Sequence, residues 1–310
     1  MTHFFENLFF QPKWYHYIVG LLLLPFSLLY GVTLFLRRVL AKREDFALPV
    51  ISIGNIIIGG SGKTPFAITL IEYLEKKGYK NIFYISRGYG RRTKGLYIVK
   101  YNGDIDCSVE CSGDEALLVA HETNANVIVA EDRVKAILKA KDLGADLLVL
   151  DDAFSKVKIE KFEIVLEPQR VANFLPLPSG PFREFAFMKS AADLVLKEGV
   201  DFKRKVNYEN LTERMLLVTA ISNPRRLKRY LPKGVVAEYC LPDHAYFNRE
   251  QIIDKMEENR ASSLLVTQKD YVKLEQFKFP LSLIKLKLEL DFQRLNGLEK
   301  YLKEKECNQR

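Results

Sequence analysis

GNIIIGGSGKTPF, residues 54–66, has the composition of a loop that holds phosphates. In such a loop, backbone N–H groups converge on an anion and a lysine reaches the β- and γ-phosphates. The next hydroxyl ligates Mg²⁺, and the helix that follows adds the positive end of its dipole. Gly59, Gly60, Ser61, Gly62, Lys63 and Thr64 supply these parts, with Ile57 and Ile58 leading into them. Pro65 falls where a first-turn N–H has no helical partner anyway. The strict pattern G-x-x-x-x-G-K-[ST] asks for glycine at position 57, where this chain has isoleucine. Residues 57–64 are therefore read as a variant nucleotide loop. The competing reading is a glycine-rich turn with a chance lysine, and the flanking pattern of strand before and helix after favours the nucleotide.

Outward from the loop the chain alternates between short apolar runs and amphipathic stretches. PVISI precedes it, and residues 64–77 place Phe66, Ile68, Leu70, Ile71 and Leu74 on one side of a helix that Gly78 ends. NIFYIS, LYIVKY, NVIVA, DLLVLD, EIVLE and DLVLK read as further strands, with helices at 113–121 and 132–143. This alternation predicts an α/β fold of the P-loop NTPase type with a largely parallel sheet. At 197–210 the chain turns polar and charged, which reads as a connection between domains. A second strand–helix series follows: MLLVTA, a helix after Asn223-Pro224, GVVAEY, a helix at 249–258, SSLLVT and LSLIKLKLEL. The expected organisation is an N-terminal anchor at 1–45, a phosphate-loop domain at 46–200 and a smaller α/β lobe at 201–310.

Residues 18–36 run 19 positions without a charge, close to the ~20 that a helix needs to cross a bilayer's hydrocarbon core. Trp14, Tyr15 and Tyr17 precede this stretch as an aromatic belt would, and Arg37, Arg38, Lys42 and Arg43 follow it. By the positive-inside rule the body of the protein is cytoplasmic. No small-residue cleavage site accompanies the run, and its positive charge lies on the wrong side for a signal peptide. Spanning is favoured over interfacial embedding, although Pro25 and Gly31 weaken a straight span. The net charge of +8 suits an anionic partner: lipid, phosphorylated substrate or nucleic acid. Aromatic–basic interleaving and nucleic-acid motifs are both lacking, so nucleic acid is not expected as a partner. Cys107, Cys111, Cys240 and Cys307 show no CxxC pair and no zinc spacing, and are expected as free thiols in a reducing compartment.

A nucleotide loop needs an acidic partner for its metal, usually at the end of a neighbouring apolar strand, and LLVLDD offers Asp151 and Asp152. Phosphoryl transfer also needs a group that orients or deprotonates the acceptor. CSGDEALL puts Asp114 and Glu115 at a helix start, where an ordinary N-cap is the alternative. LPDHAYF carries Asp243 and His244; of the four histidines, His3 and His16 flank the apolar segment instead.

The ordered set ISIGN…GGSGKTP, SRGYGRR, SGDEALL, EDR, LDD, PSGPFRE, LPDHAYF and TQKDYVKL resembles the tetraacyldisaccharide 4'-kinases of lipid A biosynthesis. The resemblance runs from the apolar segment to about residue 274, and members of that family also lack glycine at the position of Ile57. It implies a peripheral or bitopic inner-membrane enzyme; a monomer is the expected state. Such an enzyme moves the ATP γ-phosphate to the 4'-hydroxyl of a tetraacylated glucosamine disaccharide 1-phosphate, giving lipid IVA. An acceptor with four acyl chains stays in the bilayer, which accounts for a phosphate loop so close to a membrane segment. Position by position, it implies that Lys63 and Thr64 contact phosphate and Mg²⁺, and that Asp151 and Asp152 form the acidic pair. It makes Asp114 the catalytic base and His244 its partner, brought together by closure of the two lobes. Glu115 is implied as a further metal contact, and Arg87, Tyr89 and Arg183 as substrate or phosphate contacts. Arg91, Arg92 and Lys94 are expected to face the bilayer. The departure is at 153–156: many members have glycine then Phe-Gln-His, and this chain has Ala153, Phe154, Ser155 and Lys156. The rival reading is a membrane-anchored P-loop NTPase that hydrolyses nucleotide without a lipid acceptor, and the ordered motifs disfavour it.

Overall fold

The computed structural model describes residues 3–59 and 62–309, so Gly60 and Ser61 of the expected nucleotide loop lie outside the described residues. In chain order the first elements are α1 (His3–Phe10), α2 (Trp14–Val39), β1 (Val50–Gly54), α3 (Lys63–Lys76), β2 (Ile82–Ser86), β3 (Tyr97–Tyr101) and β4 (Asp104–Ile105). Next come α4 (Val109–Ser112), α5 (Asp114–Glu122), β5 (Asn126–Val129), α6 (Arg133–Asp142), β6 (Leu147–Asp151), β7 (Phe162–Glu167) and β8 (Leu194–Lys197). The chain ends with β9 (Phe202–Glu209), β10 (Met215–Thr219), β11 (Val235–Cys240), α7 (Arg249–Glu258), β12 (Ser263–Thr267), α8 (Gln268–Leu274), β13 (Leu281–Leu290) and α9 (Asn296–Gln309). Two compact units result, one from residues 1–63, 147–203 and 290–310, the other from 64–146 and 204–289.

In the first unit the strands run in the order β6-β1-β7-β8, all parallel. Every residue of β1 and β6 is buried, as the mostly apolar sequences VISIG and LLVLD suit strands covered on both faces. α9 closes this unit: the Tyr301 hydroxyl bonds the Val50 backbone, and Lys305 bridges Asp45 and Glu160 at 2.8 and 3.1 Å.

α2 packs in an unusual sense for a protein helix. Its buried residues are His16, Gly20, Ser27, Gly31 and Arg38, a stripe of small and polar side chains at three- and four-residue multiples. Leu21, Leu22, Phe26 and Leu29, all highly apolar, are exposed. The stripe docks on residues 173–185 through Ser27 Oγ to Ser179 Oγ at 2.7 Å and Ser179 Oγ to the Gly20 carbonyl at 2.9 Å. At Gly31 the ring of Phe185 lies so close that an added Cβ would meet it at 2.5 Å. With 17% of its apolar window buried, α2 is not a core helix; by length and composition it is suited to a membrane.

In the second unit one strand run has the order β4-β3-β5-β2, with β2–β5 parallel and β3 antiparallel to both its neighbours. A five-stranded sheet has the order β11-β10-β12-β13-β9, parallel from β11 through β13. The α/β class with largely parallel sheets and an apolar N-terminal helix is thus the one expected.

Three local readings change. The polar stretch at 197–210 contains β9, a strand at the sheet's edge, where solvent on one side tolerates charge and only Phe202 must be buried. The segment after Asn223-Pro224 is a 3₁₀ helix, Pro224–Tyr230. Cys107 and Cys111 are disulfide-bonded, the turn into α4 placing their Cα atoms 5.5 Å apart, while Cys240 and Cys307 are free.

Candidate active site

β1 delivers the chain to the phosphate loop. Ile57, where a strict motif has glycine, is 5% exposed and packs with Ile56, Phe154, Val165 and Phe182, so the loop is rooted in the core at this position. The Ile58 N–H donates to the Pro181 carbonyl at 2.9 Å. Gly59 and Gly62 have φ of 105° and 81°, which side chains with a Cβ rarely adopt. Lys63 begins α3; its ammonium donates to Asn55 Oδ1 at 3.1 Å and lies 3.5 Å from Asp152. Arg183 Nη1 reaches both oxygens of Asp152 at 2.9 Å. Burial pushes the Asp152 carboxyl upward, but Lys63 and then Arg183 outweigh it and hold the group below its ordinary value. Asp152 has φ of 47°, a left-handed conformation that re-aims its side chain directly after β6, whose last residue Asp151 is buried. Thr64 is buried in the first turn of α3.

The second cluster stands on α5, α8 and residues 243–247. α5 starts at Asp114, and the residue in the capping position is Gly113. Asp114 is therefore not an N-cap. Its carboxylate, 1% exposed, faces His244 Nδ1 at 3.0 and 3.1 Å and Lys273 Nζ at 2.8 Å, with Lys269 at 3.8 Å. Burial alone would raise the Asp114 pKa, but the His244 hydrogen bond and the charges of Lys269 and Lys273 hold it at about 2. Lys269 Nζ also lies 3.3 Å from His244 Nε2, 3.2 Å from Glu115 and 3.6 Å from Asp243. An ammonium only donates, so Nε2 is the acceptor and the Nδ1–H of His244 donates to Asp114. His244 has φ of 60°, its ring centroid is 4.7 Å from that of Tyr89, and its N–H donates to the Ala220 carbonyl at 3.1 Å.

The residues singled out in the sequence thus fall into two groups. Lys63, Asp152 and Arg183 meet in the first unit; Asp114, Glu115, Tyr89 and His244 meet in the second. Asp114 and His244 belong to one unit and are already bonded, so closure of lobes is not what joins them. Glu115 has Lys269 as its partner, and Arg87 is exposed on the loop before Tyr89. Arg91 does not face outward: its side chain is 3% exposed and donates to Glu131 and the Gly95 carbonyl, whereas Arg92 and Lys94 are exposed. Arg38 is also buried, bonded to Glu184. In the departing segment Ala153 and Phe154 are core residues, and Ser155 and Lys156 are exposed. Sequence reasoning missed Asn55, Lys269 and Lys273. Asn55 stands in ISIGN, and the two lysines stand one helical turn apart in TQKDYVKL, which puts them on one face.

A phosphate loop with its lysine held by a carboxylate, together with a buried carboxylate–histidine pair, all on mostly parallel α/β sheets, defines the class of P-loop kinases. The family model for tetraacyldisaccharide-1-P 4'-kinase (LpxK) matches residues 19–213 and 201–306, and the chain belongs to this family. The tetraacyldisaccharide 4'-kinase of Aliarcobacter butzleri is 45% identical over 295 residues, covering 92% of each chain. That of Helicobacter pylori is 42% identical over 302 residues, 96% of this chain and 95% of the relative. The solved structure of "apo" form LpxK from Aquifex aeolicus in complex with ATP superimposes with a TM-score of 0.76 at 27% identity, covering 92% of this chain and 99% of that one.

Proposed function

We propose that the protein transfers the γ-phosphoryl group of ATP to the 4'-hydroxyl of a tetraacylated glucosamine disaccharide 1-phosphate, giving lipid IVA, at a membrane surface. The observation that carries this reading is the buried Asp114–His244 pair, 3.0 Å apart, in a chain of this family. The family match, rather than the pair by itself, favours a lipid acceptor over water, since a hydrolase also positions a base for its nucleophile.

Backbone N–H groups of Gly59, Gly62, Lys63 and Thr64 cradle the phosphates, and the Lys63 ammonium neutralises charge on them. Asn55 and Asp152 hold that ammonium in place, and Arg183 adds a second cation at Asp152. Thr64, Asp151 and Asp152 offer hard oxygens of the kind Mg²⁺ takes, and the described residues contain no cluster of three or more His, Cys, Asp or Glu able to cage a metal. An ion held by one or two carboxylates plus substrate phosphates needs no such cage; Glu115, the further contact that the resemblance implies, is paired with Lys269 as Asp152 is with Lys63 and Arg183. When bound, Mg²⁺ supplies charge neutralisation at the β- and γ-phosphates. The Asp114–His244 pair takes the acceptor's hydroxyl proton as a unit, with Asp114 held ionised by the His244 hydrogen bond and the charges of Lys269 and Lys273. Tyr89 and Arg87 contact the acceptor sugar from the loop beside His244.

α2 embeds in the membrane interface on the cytoplasmic side, lying along it rather than spanning the bilayer, although its sequence by itself favours a span. Its buried stripe is docked on the first unit from His16 to Arg38, leaving one apolar face over its whole length for lipid. Phe174 and Phe187, exposed beside it, extend that face.

The transition state of phosphoryl transfer is loose, so positioning and charge neutralisation count for more than the base. Lys63→Ala is expected to lower turnover on the lipid acceptor more than Asp114→Ala does. Equal losses in steady-state kinetics would count against the assigned roles.

A further inference from the structure

We infer that Lys273 is a positioning residue for the reaction: it clamps the Asp114 carboxylate onto the His244 ring and holds the backbone that carries that ring. This inference rests on the reading of Asp114 and His244 as the proton-accepting pair. Lys273 lies on α8, and its side chain is 3% exposed. Its ammonium is 2.8 Å from Asp114 Oδ2 and donates to the Ala245 carbonyl at 3.4 Å. One buried cation thus ties down both partners, since Ala245 directly follows His244.

The clamp is itself anchored. Asp270, on the same helix and 4.0 Å from Lys273 Nζ, is fully buried. It accepts from the hydroxyls of Thr219 and Thr267, both at 2.7 Å, and from the Ala220 N–H at 3.0 Å. Ala220 is also the residue whose carbonyl takes the His244 N–H. α8 is therefore pinned to the end of β10, and Lys273 projects from it towards Asp114. A buried ammonium is costly unless paired; two carboxylates and a carbonyl around this one account for its presence in the interior.

The need for a clamp follows from geometry. His244 sits at φ of 60°, a conformation a non-glycine residue keeps only when its surroundings over-determine it. The Asp114 carboxylate has a single histidine to orient and stands on the first residue of α5, where only Gly113 separates it from α4. Without Lys273, Oδ2 loses its shortest contact and the carboxylate is free to rotate off Nδ1. Lys269 does not substitute: it is 3.8 Å from Asp114 and shares its charge with Glu115 and Asp243.

The test uses full-length enzyme in detergent, comparing Lys273→Met, Lys273→Gln and Lys273→Arg with the wild type and with His244→Ala. Lys273→Met is expected to lower kcat by about tenfold to a hundredfold, the scale of a misplaced reacting group, with KM for ATP within about twofold. Lys273→Arg, which keeps the charge, is expected to recover part of that loss. Full activity in a folded Lys273→Met while His244→Ala is impaired overturns the inference alone. Full activity in both overturns the reading of the Asp114–His244 pair, and the inference with it. Should the Lys273 variants fail to fold, ¹⁵N-lysine labelling of the wild type carries the test. A slowly exchanging Lys273 ammonium signal that shifts in Asp114→Asn supports the clamp, and one indifferent to Asp114→Asn overturns it.

Discussion

The dock between α2 and the rest of its unit turns on Arg38, and replacing it gives a measurable stability loss. The guanidinium bonds Glu184 through Nε at 3.1 Å and Nη2 at 3.0 Å, with side-chain exposures of 6% and 4%. The same Nη2 donates to the Phe154 carbonyl at 2.9 Å, and the guanidinium lies 4.0 Å from the centre of the Phe154 ring. Arg38→Met keeps much of the aliphatic stem but leaves the Glu184 carboxylate buried without its cation. Removing one partner of a buried pair costs about 3–5 kcal/mol, because the other charge stays desolvated. Surface pairs cost at most ~1 kcal/mol, so the measurement separates the two situations. Urea unfolding in detergent, followed by far-ultraviolet circular dichroism, measures this loss. Arg38→Met should lose about 3 kcal/mol or more, and Arg38→Met combined with Glu184→Leu should recover most of it. A loss under about 1 kcal/mol, or a double variant as unstable as the two single losses together, would refute the reasoning.

Two further outcomes follow from the second unit. Asp114 has its folded pKa depressed from 3.8 to about 2, so its ionised form contributes roughly 2 kcal/mol at neutral pH. That contribution is complete above about pH 4 and fades as pH falls through 2, so the stability gap between wild type and Asp114→Asn should narrow over that window; a gap independent of pH contradicts the assignment. Gly113 has φ of 78° and ψ of 157°, and an added Cβ would sit 2.6 Å from the Tyr89 carbonyl oxygen. Gly113→Ala should therefore cost on the order of 1–3 kcal/mol and displace Asp114, lowering kcat; wild-type stability and turnover would show that the loop yields freely.

How far the sequence could be read depended on how local each interaction is. The phosphate loop was legible because glycine, lysine and threonine at fixed spacing state their chemistry within a few residues. Most strands were legible because buried parallel strands are written as runs dominated by apolar residues, as in β6 and β12. Arg38 was not. Beside Arg37 it reads as a basic flank facing the cytoplasm, and only the fold brings Glu184, 146 residues away, to bury it. The lysine partners of Asp114 were hidden for the same reason: TQKDYVKL shows two lysines on one helical face but not what that face meets. β9 was missed because an edge strand can be polar along most of its length.

Phosphoryl transfer to a lipid acceptor is what separates a lipid kinase from a nucleotide hydrolase. Purified full-length protein in detergent would be given γ-³²P-ATP, Mg²⁺ and tetraacyldisaccharide 1-phosphate, with Lys63→Ala as the control. Label is expected in a lipid product with the wild type and almost none with Lys63→Ala. Label released only as inorganic phosphate, at the same rate with and without the lipid, would contradict it and leave a membrane-anchored nucleotide hydrolase.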